Sequence, residues 1–134
     1  MKFPTDITVW GDTDYRGDCP SEAAEQIAFF NKLRTAYPTT LGLVALHPRN
    51  EGKRSHYQAQ RQKAEGLTVG AADVIIPGRP ALVLELKRLD HTNSRWQEGQ
   101  IEYLRAAQAL GAVACVALGW QAGMDAVASW CARD

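Results

Sequence analysis

The chain has 134 residues, 46% of them apolar, with fifteen basic and fifteen acidic residues that cancel to no net charge. It is one domain's worth of sequence with enough apolar matter for a core without disulfide or metal staples, and its overall charge excludes wholesale electrostatic attraction to nucleic acid. Three cysteines, Cys19, Cys115 and Cys131, are odd in number and form no CxxC pair. This excludes a disulfide scaffold and points to reduced thiols in a cytosolic protein.

The absence of net charge hides a local imbalance. Residues 1–30 hold Asp6, Asp12, Asp14, Asp18, Glu22 and Glu25 against Lys2 and Arg16, whereas residues 47–63 hold Arg49, Lys53, Arg54, Arg61 and Lys63 against Glu51. The opening "MKFPTDITVW" has no apolar run of the signal-peptide kind. No stretch approaches the ~18 apolar residues of a membrane span. The expectation is a cytoplasmic protein with no membrane partner.

In chain order, residues 1–19 read as an irregular lead-in with a short strand at Ile7–Trp10. "SEAAEQIAFFNKLRTAY" follows with Ala23, Ile27, Phe30, Leu33 and Tyr37 at helical spacing, a cap at Ser21 or Asp18, and a stop at Pro38. "TLGLVALH" (40–47) is a short apolar run that predicts a strand, "PRNEGKRS" a loop, and "HYQAQRQKAE" a polar helix stopped by Gly66. Gly70 admits the strand "ADVIIP", and "PGRP" (77–80) turns the chain into "ALVLEL". "SRWQEGQIEYLRAAQALG" carries the capping-box pattern Ser94…Gln97 and ends at Gly111. "AVACVAL" (112–118) predicts a buried strand and "GMDAVASWCARD" a closing helix. This order predicts an α/β domain, a mixed sheet of about four strands flanked by helices. It is read as one unit over 1–134: the lead-in 1–19, a core over 20–120 and a C-terminal helix over 121–134.

The chemistry concentrates in "GAADVIIPGRPALVLELKR" (70–88). An antiparallel hairpin with its loop at Pro77–Ala81 places Asp73 opposite Glu85. Lys87 shares their face because strand side chains alternate. Two converging carboxylates repel, and one stays protonated unless a cation lies between them. Mg²⁺ (or Mn²⁺) suits such a pair, being oxygen-seeking and commonly held by one or two carboxylates. A lysine beside it suits phosphodiester hydrolysis. The competing reading is a half-exposed hairpin with a weak Glu–Lys surface pair.

These residues resemble a known family. "GLTVGAADVIIP…LVLELKR" resembles the core of the PD-(D/E)XK nucleases, with Asp73, Glu85 and Lys87 at the aspartate, glutamate and lysine, and Ala72 where the motif has proline. "SEAAEQ", "HPRNEGKR" and "GQIEYLRAAQALGA" resemble further segments of its VRR-NUC subfamily in the same order, over roughly residues 20–120. The resemblance implies a restriction-endonuclease-like core of αβ(α)ββαβ order and a metal-dependent DNA nuclease. It further implies Asp73 and Glu85 as metal ligands with the Leu86 backbone carbonyl a third, and Lys87 acting on the attacking water. Glu22 would reach a second metal or its water, with Gln26 hydrogen-bonding beside it toward DNA, and Gln100 would align Lys87 or a metal-bound water. Arg49, Lys53, Arg54 and Arg61 would supply the positive surface DNA needs near an acidic site. Relatives of this kind occur in phages and bacteria, and some are homodimers that cut branched DNA such as four-way junctions, so a homodimer in a bacterial or phage-infected cell is expected. The rival class is a module of the same fold that binds DNA or protein without cutting. "DTDYRGD" (12–18) fails as a calcium loop because Arg16 and Ala23 stand where ligands are required.

Overall fold

The computed structural model describes residues 1–48 and 55–133. Arg49, Lys53 and Arg54, and with them the "NEG" segment, lie outside the described residues. The elements run β1 (Thr8–Trp10), α1 (Glu22–Ala36), α2 (Leu41–Val44), α3 (His56–Ala64), β2 (Val74–Ile76), β3 (Leu82–Lys87), α4 (Gln100–Ala109), β4 (Val113–Leu118) and α5 (Trp120–Cys131), with a 3-10 turn at His91–Asn93. One mixed sheet has the strand order β1-β4-β3-β2. The β2–β3 pair is antiparallel; β3–β4 and β1–β4 are parallel. This is the α/β, restriction-endonuclease-like topology expected.

The sheet separates two apolar layers. On one side Leu82, Leu84 and Leu86 of β3 pack with Phe29 and Leu33 of α1 and Val127 of α5. On the other, Val83 packs with Leu104 of α4 and with Ala114, Val116 and Ile7. Strand alternation therefore turns Glu85 and Lys87 toward the α4 face, in the same row as Val83. All six residues of β3 are buried. The charged pair thus occupies the end of an interior strand, as part of the core's own row.

Several local expectations change. "TLGLVALH" is a turn of helix and not a strand. Gly42 lies so close to the end of α1 that a Cβ would be 2.6 Å from the Tyr37 carbonyl oxygen, and its N–H bonds that oxygen at 2.9 Å. The run thus folds back on α1, and of its residues Leu46 bridges Ile75 on the outer edge of β2. The buried face of α1 is Glu25, Phe29, Phe30 and Leu33, while Ile27 is 67% exposed, so the helix is rotated from the expected stripe. Ser21 caps it as expected, its hydroxyl accepting from the Ala24 N–H.

The capping box at Ser94 does not start α4. The helix begins six residues later, behind Gly99 at φ +83, because the Ser94 hydroxyl is bonded to the Arg88 N–H and to Glu22. The closing helix starts at Trp120 and ends at Cys131. The lead-in is irregular apart from β1 but firmly tied. Arg105 pairs with Asp6 at 2.9 Å, the Trp96 indole N–H donates to the Lys2 carbonyl, and Gly17 N–H donates to Asp90.

Two glycine backbones set the distance between the β2 entry and α4. A Cβ on Gly70, at φ +79, would overlap the Gly99 carbonyl and lie 2.7 Å from the Gln100 nitrogen. Gly70→Ala is therefore expected to destabilise by about 2–4 kcal/mol in urea unfolding, from left-handed strain plus backbone overlap. Gly111→Ala, at φ +102 with nothing within 4 Å, carries the strain alone. Equal losses for both variants would show that the close approach does not matter.

Candidate active site

The hairpin register pairs Val74 with Leu84 and Ile76 with Leu82, which sets Asp73 opposite Glu85. Asp73 is the residue just before β2, and its Oδ2 accepts from the Leu86 N–H at 2.9 Å. The carboxylate thereby continues the ladder where the strand has ended, and its side chain is fixed beside β3.

Glu85 is 1% exposed. Its Oε1 accepts from Gln100 Nε2 at 3.0 Å, while Oε2 is buried with no hydrogen-bond partner among the described residues. Burial pushes the Glu85 carboxyl well above the usual carboxylate range, the neighbouring Asp73 adds to the rise, and Lys87 opposes it. An unpartnered carboxylate oxygen in the interior is costly.

Lys87, also 1% exposed, donates to the Arg95 carbonyl at 2.9 Å and to Gln100 Oε1 at 3.0 Å, with Glu22 Oε1 at 3.9 Å. Its ammonium lies 5.4 Å from the centre of the Trp96 ring. Gln100 therefore bridges the two charged residues through both ends of its amide, and the same Oε1 accepts from the Gln97 N–H at 2.8 Å. The first residue of α4 ties the helix to the end of β3.

Glu22, at the start of α1, comes to this point from the other layer of the fold. Its Oε2 accepts from Ser94 Oγ at 2.9 Å. Arg88 holds that corner by donating to the Cys19 and Pro20 carbonyls just ahead of α1. Asp73, Glu85, Lys87, Gln100 and Glu22 thus come together. Gln26 does not join them. It lines a groove between α1 and residues 45–47. Arg61 is bound at 2.8 Å to Glu65 on exposed α3.

His47 and Ser94 also join these side chains, and a further buried acid, Glu25, lies on α1. His47 Nδ1 contacts the Asp73 carbonyl at 2.8 Å, although 26 residues separate them. A carbonyl only accepts, so this nitrogen carries the proton. Ser94, read as a cap, instead connects Glu22 with the Arg88 backbone. Glu25 is 3% exposed, with Oε2 unpartnered; burial raises its carboxyl, partly offset by the Trp120 N–H at the start of α5. Only the "SEAAEQ" string offered a hint of Glu25, as a second acid on a helix whose apolar stripe was misplaced.

Among the described residues, no three His, Cys, Asp or Glu side chains form a ready-made metal cage. The oxygen donors that could hold a cation are fewer: the Asp73 and Glu85 carboxylates, the latter with a buried oxygen lacking a proton donor. Hard oxygen donors in this number suit Mg²⁺ or Mn²⁺ completed by water and phosphate.

No family profile matches the sequence, and no curated protein matches it. A solved structure described as a "VRR_NUC domain protein" superposes with a TM-score of 0.65 at 21% sequence identity, covering 87% of this chain and 90% of that one. The likeness is one of fold.

The raised Glu85 carboxyl has a sign that can be measured. The folded state binds this proton more tightly than the unfolded chain, so Glu85's contribution to stability is full below its ordinary value of 4.5 and is lost as pH rises through the folded value. In chelator, Glu85→Gln is expected to be more stable than wild type at about pH 8, with the advantage shrinking toward about pH 4. Urea midpoints across this range check it. A wild type whose advantage over the variant grows with pH would contradict the assignment.

Proposed function

We propose that the chain is a divalent-metal-dependent DNA nuclease that hydrolyses phosphodiester bonds. The observation that carries this reading is the buried junction at the end of β3. There Glu85, next to Asp73, has a buried oxygen without a partner among the described residues, and a buried lysine is held beside it by Gln100 and the Arg95 carbonyl. The fold shared with the VRR_NUC domain protein supports it.

Asp73 and Glu85 would hold the cation. The Leu86 carbonyl would be a third donor, because a strand residue presents its N–H and C=O on the same side and the Leu86 N–H is already directed at Asp73. When bound, Mg²⁺ or Mn²⁺ neutralises phosphate charge and makes water more acidic. Lys87 supplies a fixed positive charge close to the two acids, aimed by its bonds, to orient the attacking water or the phosphate. Gln100 keeps Lys87 and Glu85 at a set separation. Glu22, 3.9 Å from Lys87, would accept hydrogen bonds from water at the site. Arg49, Lys53, Arg54 and Arg61 are the proposed phosphate contacts, Arg61 by leaving its exposed partner Glu65 at small cost. One such centre per chain fits cleavage of two strands by a homodimer, and branched DNA such as a four-way junction is the proposed preferred substrate.

Wild type and Lys87→Ala incubated with supercoiled, linear and four-way-junction DNA test the reading. Cleavage is expected in Mg²⁺ or Mn²⁺, none in chelator, and a loss of at least about a hundredfold in the variant. Mg²⁺ is also expected to raise the melting temperature of wild type and not that of Asp73→Asn. DNA retained by both proteins without product in any metal would instead identify a non-catalytic binding module.

A further inference from the structure

Glu22, Gln26, Phe30 and Arg34 lie four residues apart on one face of α1. That face starts at the Lys87 junction and runs about 18 Å along the helix. Beyond Glu22 it forms one wall of an open groove of about 480 Å³. The opposite wall is the segment around Leu46 and His47. His47 is bonded to the Asp73 carbonyl, so the groove begins where the proposed catalytic centre ends.

Its chemistry is mixed. Ile27, 67% exposed, and Leu46, 47% exposed, are apolar surfaces. Gln26 and Asn31 carry amides, each with donors and an acceptor. Arg34 has its guanidinium 5.0 Å from the centre of the Phe30 ring, which presents a flat cation at the far end. Among the described residues, none that lines the groove is a carboxylate.

We infer that this groove seats an unstacked base of the substrate strand beside the scissile phosphate, with Arg34 stacking on the base or meeting the next phosphate. The inference rests on the nuclease reading for the identity of the strand, but its own basis is the groove. A planar, amide-rimmed ligand attached to an anionic backbone matches apolar walls, two amides and an arginine with no acid among the described lining residues. The volume falls within the range of small-ligand sites. An apolar protein segment would use Ile27 and Leu46 but would leave the amides and Arg34 unmatched.

The test is a set of fluorescein-labelled DNA oligonucleotides in which one abasic nucleotide is moved stepwise across the site. Binding is followed by anisotropy in chelator, and cleavage in Mg²⁺. One abasic position is expected to lower wild-type affinity about five- to tenfold. Arg34→Ala is expected to lower affinity for the intact strand by a similar factor and to abolish the sensitivity to that position. Asn31→Ala should do so in part. Both residues are exposed, so unchanged urea midpoints will show that the fold is kept. A flat abasic profile, or an Arg34→Ala protein that keeps the full position effect, overturns the groove assignment. Metal-dependent cleavage with a flat profile removes the groove and leaves the nuclease. The expected binding pattern without cleavage keeps the groove and removes the nuclease. A folded protein that binds none of these strands removes both.

Discussion

The bridging amide of Gln100 is the interaction on which the site's form depends. Glu85 and Lys87 end a strand buried on both faces, where an isolated charge would cost far more than any packing could return. Gln100 donates to one and accepts from the other, at 3.0 Å each, so Lys87 and one oxygen of Glu85 are met by a neutral group that cannot itself titrate. Because Gln100 is the first residue of α4, the bridge also fixes where that helix begins against the sheet. Gly99 and Gly70 permit the approach by having no side chains at the contact.

The arrangement is asymmetric in a way that bears on function. Lys87 has its hydrogen bonds, and Glu85 has one of its two oxygens bonded. The remaining oxygen has no partner among the described residues, and the neighbouring Asp73 adds negative charge to the same carboxyl's surroundings. In a purely structural network such a conflict would be a defect. In a site that receives a cation, the same conflict is the source of affinity, because the ion relieves both the repulsion and the missing partner.

Much of this was legible in the sequence because the hairpin is local. The turn "PGRP" and strict alternation set the register, and from the register follow the shared face of Asp73, Glu85 and Lys87. The overall α/β order was legible for the same reason, in the spacing of apolar runs. What was not legible depends on contacts remote in the chain. "TLGLVALH" has the composition of a strand but is drawn into a turn by Gly42 against the end of α1. Ser94 has the pattern of a cap but finds Glu22, 72 residues away. The apolar spacing of α1 puts Ile27 on the interior face, whereas Ile27 is exposed and Glu25 is buried. The resemblance sets Gln26 beside Glu22 and toward DNA, and one helical turn carries it from the junction into the groove.

The enclosure of Lys87 also bears on chemical reactivity. An amine must meet a reagent in order to be acylated. This one is 1% exposed, engaged by the Arg95 carbonyl and Gln100, and covered by an indole ring. Lys2, Lys32 and Lys63 stand in solvent. Amine-directed labels will therefore modify those surface positions first, so dyes or cross-linkers can be attached to this protein while its central lysine stays unmodified.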